Sequence, residues 1–221
     1  MKIVKYIKNS LIDFPRHIAC VAFTFGCNYK CWYCHNTSLL NEKTDLSDEF
    51  FEFLKSRKGW LDGVVVCGGE PTIQPDLIDF IRKIKSMGYD VKLDTNGSNP
   101  NVIEKLLDEH LVDYVALDIK APPEKLDTMA GVKVDYNKIL CSIELLKESN
   151  IACEFRTTVT PELTGDDIEY LAKLVGNDYA YFLQPYRKPA FLINAPEPLP
   201  IETLQNYEKL AKKYANCAKL R

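Results

Sequence analysis

The chain has 221 residues, 46% of them hydrophobic, with 28 Lys and Arg against 31 Asp and Glu, a formal net charge of −3 and a pI near 5.7. That length favours one domain, residues 1–221, over two small ones. The mild acidity excludes general binding to nucleic-acid phosphates, so the lysines of "KLAKKYANCAKLR" read as the solvated face of a helix.

The N-terminal stretch "MKIVKYIKNSLIDFP" has no uninterrupted apolar segment and no small-residue cleavage site, so no secretory signal is expected. No run approaches the length of about 18 apolar residues that a membrane span needs. A cytoplasmic, reducing setting follows, and there clustered thiols serve as metal or redox groups more often than as disulfides.

In chain order, short β-branched runs alternate with amphipathic ones. Strands are predicted at 18–25, 63–68, 90–95, 114–119, 152–159 and 179–185, and helices at 47–57, 75–87, 100–109, 135–149, 166–175 and 201–215. In "PDLIDFIRKIKSMG", Leu77, Ile78, Ile81, Ile84 and Lys85 follow helical spacing, and Gly88 stands where a C-cap belongs. Strands alternating with helices imply parallel pairing through right-handed crossovers. Periodicity alone leaves open a doubly wound sheet and a partial (β/α) barrel. Residues 188–200, "KPAFLINAPEPLP", read as a surface loop before the last helix.

Polar residues gather where the predicted strands end: Glu70; Asp94, Thr95 and Asn96; Asp118 and Lys120; Arg156 and Thr158; Gln184. Any one of them could cap the next helix. A series at successive strand ends points to the edge where parallel α/β folds bind ligands.

The segment "CNYKCWYCHN" holds Cys27, Cys31 and Cys34. Thiolates favour zinc, copper(I) and iron–sulfur clusters. A structural zinc site closes with four ligands. His35 is the nearest fourth, but adjacent residues 34 and 35 would have to turn to one ion. "CWYCH" also matches the C-x-x-C-H pattern of haem attachment, which is made outside the cytoplasm. A chance grouping of buried thiols is a further alternative. The remaining reading is a [4Fe–4S] cluster in which three thiolates hold three irons and the fourth iron stays open to a small molecule.

Cys27-Asn-Tyr-Lys-Cys31-Trp-Tyr33-Cys34 after a first strand, with "GGEPT" (68–72) closing the second, resembles the signature of the radical S-adenosylmethionine (SAM) superfamily. The resemblance spans a core of about residues 10–187, with a C-terminal loop and helix over 188–221, and implies a partial (β/α)6 TIM-type barrel. In that family the amino and carboxylate groups of SAM bind the open iron. One electron splits the sulfonium into methionine and a 5′-deoxyadenosyl radical, which abstracts a hydrogen atom. Gly68 and Gly69 would let backbone approach SAM. Gly69 and Glu70 would meet its amino group, and Tyr33 would shelter the adenine or pack in the core.

"SLIDFPRHIACVAFTFGCNYKCWYCHN" resembles the start of glycyl-radical-enzyme activating enzymes, most of all activators of anaerobic ribonucleoside-triphosphate reductase, through Ser10, Asp13, Pro15, Cys34, His35 and Asn36. Such activators often have Gly where this chain has Arg16. "LDTNG" and "LDIKAP" resemble the formate-lyase activator, which implies a monovalent cation, Na⁺ or K⁺, near Asp94, Thr95 and Asp118. Lys120 would reach the SAM carboxylate or ribose, and Arg156 and Gln184 would face the same site. Arg187 stands where the formate-lyase activator has a histidine, which favours the reductase-activator type. The resemblance implies a glycyl radical enzyme as protein substrate and a flavodoxin or ferredoxin-type electron donor. The alternatives are a small-molecule radical SAM enzyme such as 7-carboxy-7-deazaguanine synthase, and a metal-stabilised binding module without catalysis. Cys20, Cys67, Cys141, Cys153 and Cys217 are expected as small core hydrophobes, and His17 and His110 in ordinary hydrogen bonds.

Overall fold

The computed structural model describes residues 1–189 and 194–221, so the middle of the 188–200 loop lies outside the described residues. One continuous sheet orders the rest. Its eight strands follow chain order: β1 (Ile3–Ser10), β2 (Ala19–Thr24), β3 (Gly63–Gly68), β4 (Asp90–Thr95), β5 (Tyr114–Asp118), β6 (Ala152–Val159), β7 (Ala180–Pro185) and β8 (Ala218–Leu220). β1 pairs antiparallel to β2, and every other pairing is parallel. Each parallel step needs a crossover, and helices supply them: α1 (Ser47–Ser56), α2 (Leu77–Ser86), α3 (Pro100–Asp108), α4 (Pro123–Ala130), α5 (Tyr136–Glu148), α6 (Gly165–Val175) and α7 (Ile201–Ala211). The architecture is the expected partial (β/α) barrel, with an antiparallel edge strand before it and one more parallel strand after it.

Side-chain alternation divides the strands between two environments. Cys20, Ala22, Val64, Val66, Val91, Leu93, Val115 and Leu117 face outward into a large core with the helices. α2 adds Leu77, Phe80, Ile81 and Ile84 to that core, and Gly88 follows it with φ +88°. The opposite set, Ala19, Val21 and Val65 with Phe23, Cys67 and Tyr114, packs around Phe14 inside the barrel. Phe14 comes from the β1–β2 loop and plugs the base: a Cβ on Gly63 would meet its ring at 2.8 Å.

That loop is built by the Ser10–Asp13 pair. Asp13 Oδ2 accepts from the Ser10 hydroxyl at 2.5 Å, and the Ser10 oxygen accepts from the Asp13 amide at 3.2 Å. Arg16 then sits at φ +65°, a left-handed conformation that suits glycine. This is the physical content of the Arg16 departure noted in the sequence.

β1, α4 and β8 were not predicted; the "KLAKKYANCAKLR" stretch, expected as one helix face, leaves α7 after Ala211 and ends in β8. β1 is an edge strand with Lys5, Ile7, Lys8 and Asn9 exposed, so its pattern is not that of a buried strand. In α4 the Pro122-Pro123 pair looks like a breaker, but proline in the first turn starts a helix. Two of the cysteines expected in the core are also corrected. Cys141 and Cys217 are exposed, one on the outward face of α5 and the other in the turn before β8. No helix among the described residues is long and apolar enough to cross a membrane.

Candidate active site

The parallel strands end together, and a cleft of about 330 Å³ opens there. Cys27, Cys31, Cys34, Tyr33, Gly68, Gly69, Glu70, Asp94, Thr95, Asn96, Asp118, Lys120, Arg156 and Gln184 all line it, although they come from six strand ends. Thr158, His35 and Asn36, noted in the sequence only as strand or motif residues, line it too, as do Tyr29 and Cys67. Cys67 was expected as core filling. It lies two residues beyond Val65 on the inward face of β3, and strand alternation would have placed it in the cleft.

The cysteine loop follows β2 and is fastened at several points. The Glu70 amide donates to Gly26 O at 2.9 Å, and the Lys30 amide to Ala130 O at 2.7 Å, at the end of α4. Asn28 donates to the Ser98 hydroxyl at 2.7 Å and accepts from the Asn96 side chain at 2.9 Å. Asn36 Nδ2 donates to Gly68 O at 3.2 Å. Cys27 and Cys34 are free thiols whose sulfurs accept backbone N–H groups, from Tyr29 and Asn36, each at 3.3 Å. Burial pushes the Cys27 thiol up to about 11, even with the Tyr29 amide opposing it.

The Gly68-Gly69 turn meets this loop backbone to backbone. A Cβ on Gly69 would lie 1.5 Å from Gly26 O, and one on Gly68 2.3 Å from the Thr24 amide nitrogen. Gly68 also has φ +123°, which side chains rarely adopt. No side chain fits where the turn packs on the backbone of Thr24 and Gly26.

Glu70 lines the cleft and is also fastened within the protein. Its side chain is buried, and its Oε1 accepts from the Thr72 amide at 3.1 Å and from the Thr72 and Thr95 hydroxyls at 2.5 and 2.7 Å. Oε2 accepts from the Asn96 amide at 2.7 Å. The carboxylate therefore ties the end of β3 to the end of β4. Burial raises its pKa, and these hydrogen bonds offset the rise only in part.

Opposite the turn stands a row of charges. Arg156 on β6 donates from Nε to Asp118 Oδ1 at 2.6 Å and from Nη1 to Asp94 Oδ2 at 2.9 Å. Lys120 Nζ donates to Asp118 Oδ2 at 2.9 Å. Lys92 Nζ lies 2.9 Å from Asp94 Oδ1 and donates to Asp13 O at 2.7 Å. Burial alone would raise the Asp118 carboxyl, but Arg156 and Lys120 outweigh it and hold it below the usual carboxylate range. The same carboxylate holds the Lys120 ammonium protonated against the cost of its burial.

Comparison with known proteins decides the family. The radical SAM superfamily profile matches residues 21–175, from β2 through α6. The chain belongs to the radical SAM superfamily. A Methanocaldococcus jannaschii protein assigned as a glycyl-radical enzyme activating enzyme is 39% identical over 219 residues, 93% of this chain and 89% of that one. The pyruvate formate-lyase-activating enzyme of Clostridium pasteurianum is 32% identical over 180 residues, 76% of this chain and 73% of the relative. A domain of the pyruvate formate-lyase-activating enzyme of Bacteroides vulgatus has the same fold, with a TM-score of 0.58 at 18% identity over 72% of this chain and 98% of that domain.

Radical SAM enzymes use a [4Fe–4S] cluster and SAM, and the residues present fit both. Three free thiols share one cleft wall, and the sulfurs of Cys27 and Cys34 each accept a backbone N–H. Among the described residues no three His, Cys, Asp or Glu side chains gather tightly enough for a single metal ion. For SAM, the glycine turn offers bare backbone and Lys120 a fixed positive charge. The Tyr29 and Tyr33 hydroxyls, at residues that line the cleft, are buried with no hydrogen-bond partner among the described residues.

Proposed function

We propose that this chain is an activating enzyme that generates a glycyl radical on a partner protein in the cytoplasm. The partner is anaerobic ribonucleoside-triphosphate reductase, and the electron donor is a flavodoxin or ferredoxin-type protein. The observation that carries this reading is the meeting of three thiols, the Gly68-Gly69 turn and the Asp118–Lys120 pair in one open cleft. The similarity to activating enzymes over nearly the whole chain supports the substrate class.

Cys27, Cys31 and Cys34 would hold the cluster, which when bound supplies the electron and an open iron position for SAM. Lys120 attracts the SAM carboxylate as a point charge whose direction Asp118 fixes. The SAM amino group meets the Gly69 backbone and the Glu70 carboxylate, whose Oε2 accepts only the Asn96 amide and keeps acceptor capacity. Tyr33 presents its ring to the adenine, and Gln184 and Thr158 line the far wall. A primary carbon radical reacts usefully only with a hydrogen held at contact distance, so a glycine loop of the partner must enter the cleft mouth.

The test mixes the reconstituted chain, SAM, a reductant and the reductase without oxygen. A protein-borne organic radical is expected by electron paramagnetic resonance. It should vanish when the partner's radical glycine is changed to alanine, and deuterium at that glycine Cα should pass into 5′-deoxyadenosine. Many-turnover conversion of a small molecule such as 6-carboxytetrahydropterin, with no protein radical, would replace this reading with a deazaguanine-synthase one.

A further inference from the structure

Asp94 and Asp118 end neighbouring strands beside the place where an anionic ligand carboxylate would sit. Two carboxylates there need positive charge between them. The sequence resemblance suggested Na⁺ or K⁺. The structure supplies the charge from the chain itself, and all four carboxylate oxygens already face a side-chain cation. Asp118 Oδ1 faces Arg156 at 2.6 Å and its Oδ2 faces Lys120 at 2.9 Å. Asp94 Oδ2 faces Arg156 at 2.9 Å and its Oδ1 faces Lys92 at 2.9 Å.

The charges balance. Lys92, Lys120 and Arg156 stand against Asp94, Asp118 and Glu154, the last lying 3.9 Å from Lys92 and 3.6 Å from Arg156. Arg221 adds a further positive charge at the edge, 3.1 Å from Glu154. An added monovalent ion would enter a group already neutral or positive, where each carboxylate oxygen lies within 2.9 Å of a side-chain cation and Asp94 Oδ1, which has that ion-pair contact but no hydrogen bond, is the one left to receive it, and like-charge repulsion would oppose it. A guanidinium suits this place better than an ammonium. Its flat fork bonds two carboxylates at once and never deprotonates, and its position is fixed because Arg156 pairs directly across from Asp118 in the sheet.

We propose that Arg156 is a built-in counter-cation, so that this chain binds SAM without Na⁺ or K⁺. Arg156 is then a positioning residue: it holds Asp118, which aims Lys120 at the SAM carboxylate. The inference rests on the proposed SAM site for its ligand, but the ion question stands on the charge cluster alone.

The test uses the full chain, and SAM affinity of the reconstituted protein is measured by equilibrium dialysis in NaCl, KCl and choline chloride at one ionic strength. The parent's dissociation constant should agree within about twofold among the salts, since screening is held constant. Arg156→Met leaves bare carboxylates, so it should lose about tenfold or more of its SAM affinity in choline. Na⁺, K⁺ or guanidinium should restore most of that loss, and Arg156→Lys should fall between parent and Arg156→Met.

A second readout is the melting temperature of the cluster-free chain in the same salts. The parent should melt alike in all three, and Arg156→Met should melt higher in NaCl or KCl than in choline. Two results overturn the proposal. One is a parent that binds SAM about tenfold more weakly in choline, or melts higher with Na⁺ or K⁺ specifically. The other is an Arg156→Met protein with parental affinity and no response to salt. If Arg156→Met does not fold, the parent's salt series still decides. If the parent binds no SAM in any salt, the functional reading fails while the melting series still reports on the ion.

Discussion

Replacing Glu70 by Gln tests how strongly this residue ties the end of β3 to the end of β4. The carboxylate accepts four hydrogen bonds, three at Oε1 and one at Oε2. Gln keeps an acceptor at the first position and turns an amide N–H₂ toward the Asn96 N–H, donor against donor. One charge-assisted bond worth about 1.5–3 kcal/mol is lost, and the three that remain weaken. Relief of carboxylate burial acts in the opposite direction, as the raised pKa shows. The net expectation is about 2 kcal/mol of destabilisation, near 4–8 °C in melting temperature for a chain of this size. Glu70→Ala, which strands every donor and leaves a void, should cost about 4 kcal/mol. The assay is thermal unfolding by circular dichroism on the cluster-free chain. The sign of the pH dependence is fixed. A carboxyl whose folded pKa is raised gives its full stability below the unfolded value and loses it as pH rises through the folded one. The parent's advantage over Glu70→Gln should therefore shrink as pH climbs from about 4. A Glu70→Gln protein that melts within 1 °C of the parent at every pH, with Glu70→Ala equally unaffected, would refute the reasoning.

Cys27→Ala, Cys31→Ala and Cys34→Ala should each lose the cluster, while Cys20→Ala and Cys67→Ala keep about four irons per chain after anaerobic reconstitution; iron and sulfide analysis decides. Arg16→Gly should raise stability by about 0.5–1 kcal/mol, because glycine adopts the observed φ of +65° without the side-chain penalty; chemical denaturation with an unchanged m-value would show it. Asp118 contributes its stability above the ordinary carboxylate pKa of about 4 and loses it as pH falls. The melting-temperature gap between parent and Asp118→Asn should therefore begin to narrow below about pH 5 and still be closing below about pH 3, because the folded carboxyl titrates well below the unfolded one.

The sequence made the parallel strands readable because each is largely buried: β2 and β3 read as near-continuous apolar runs, and β4, β5 and β6 as short runs whose polar residues fall mainly on the inward face. The bounds of β3, β4 and β6 match their predicted ranges to the residue. β1 escaped because an edge strand exposes one row of side chains. The site was readable at the level of residue type, since a thiol triplet and polar strand ends have few other uses. Side-chain partners were not readable. Glu70 is spent on Thr95 and Asn96, which reach it from the next strand. Arg156 reaches Asp94 from 62 residues away. Both contacts depend on register between strands, which no local pattern encodes.

An open, curved sheet ends in two rows of backbone groups that seek partners, and a second copy of the same chain is the nearest source of them. This sheet ends in β1 on one side and the three-residue β8 on the other. Exposed Lys5 and Lys8 lie along the first edge, and exposed Lys219 and Arg221 along the second. Bringing the two edges of different molecules together would set positive charge against positive charge, over a ladder too short to compensate.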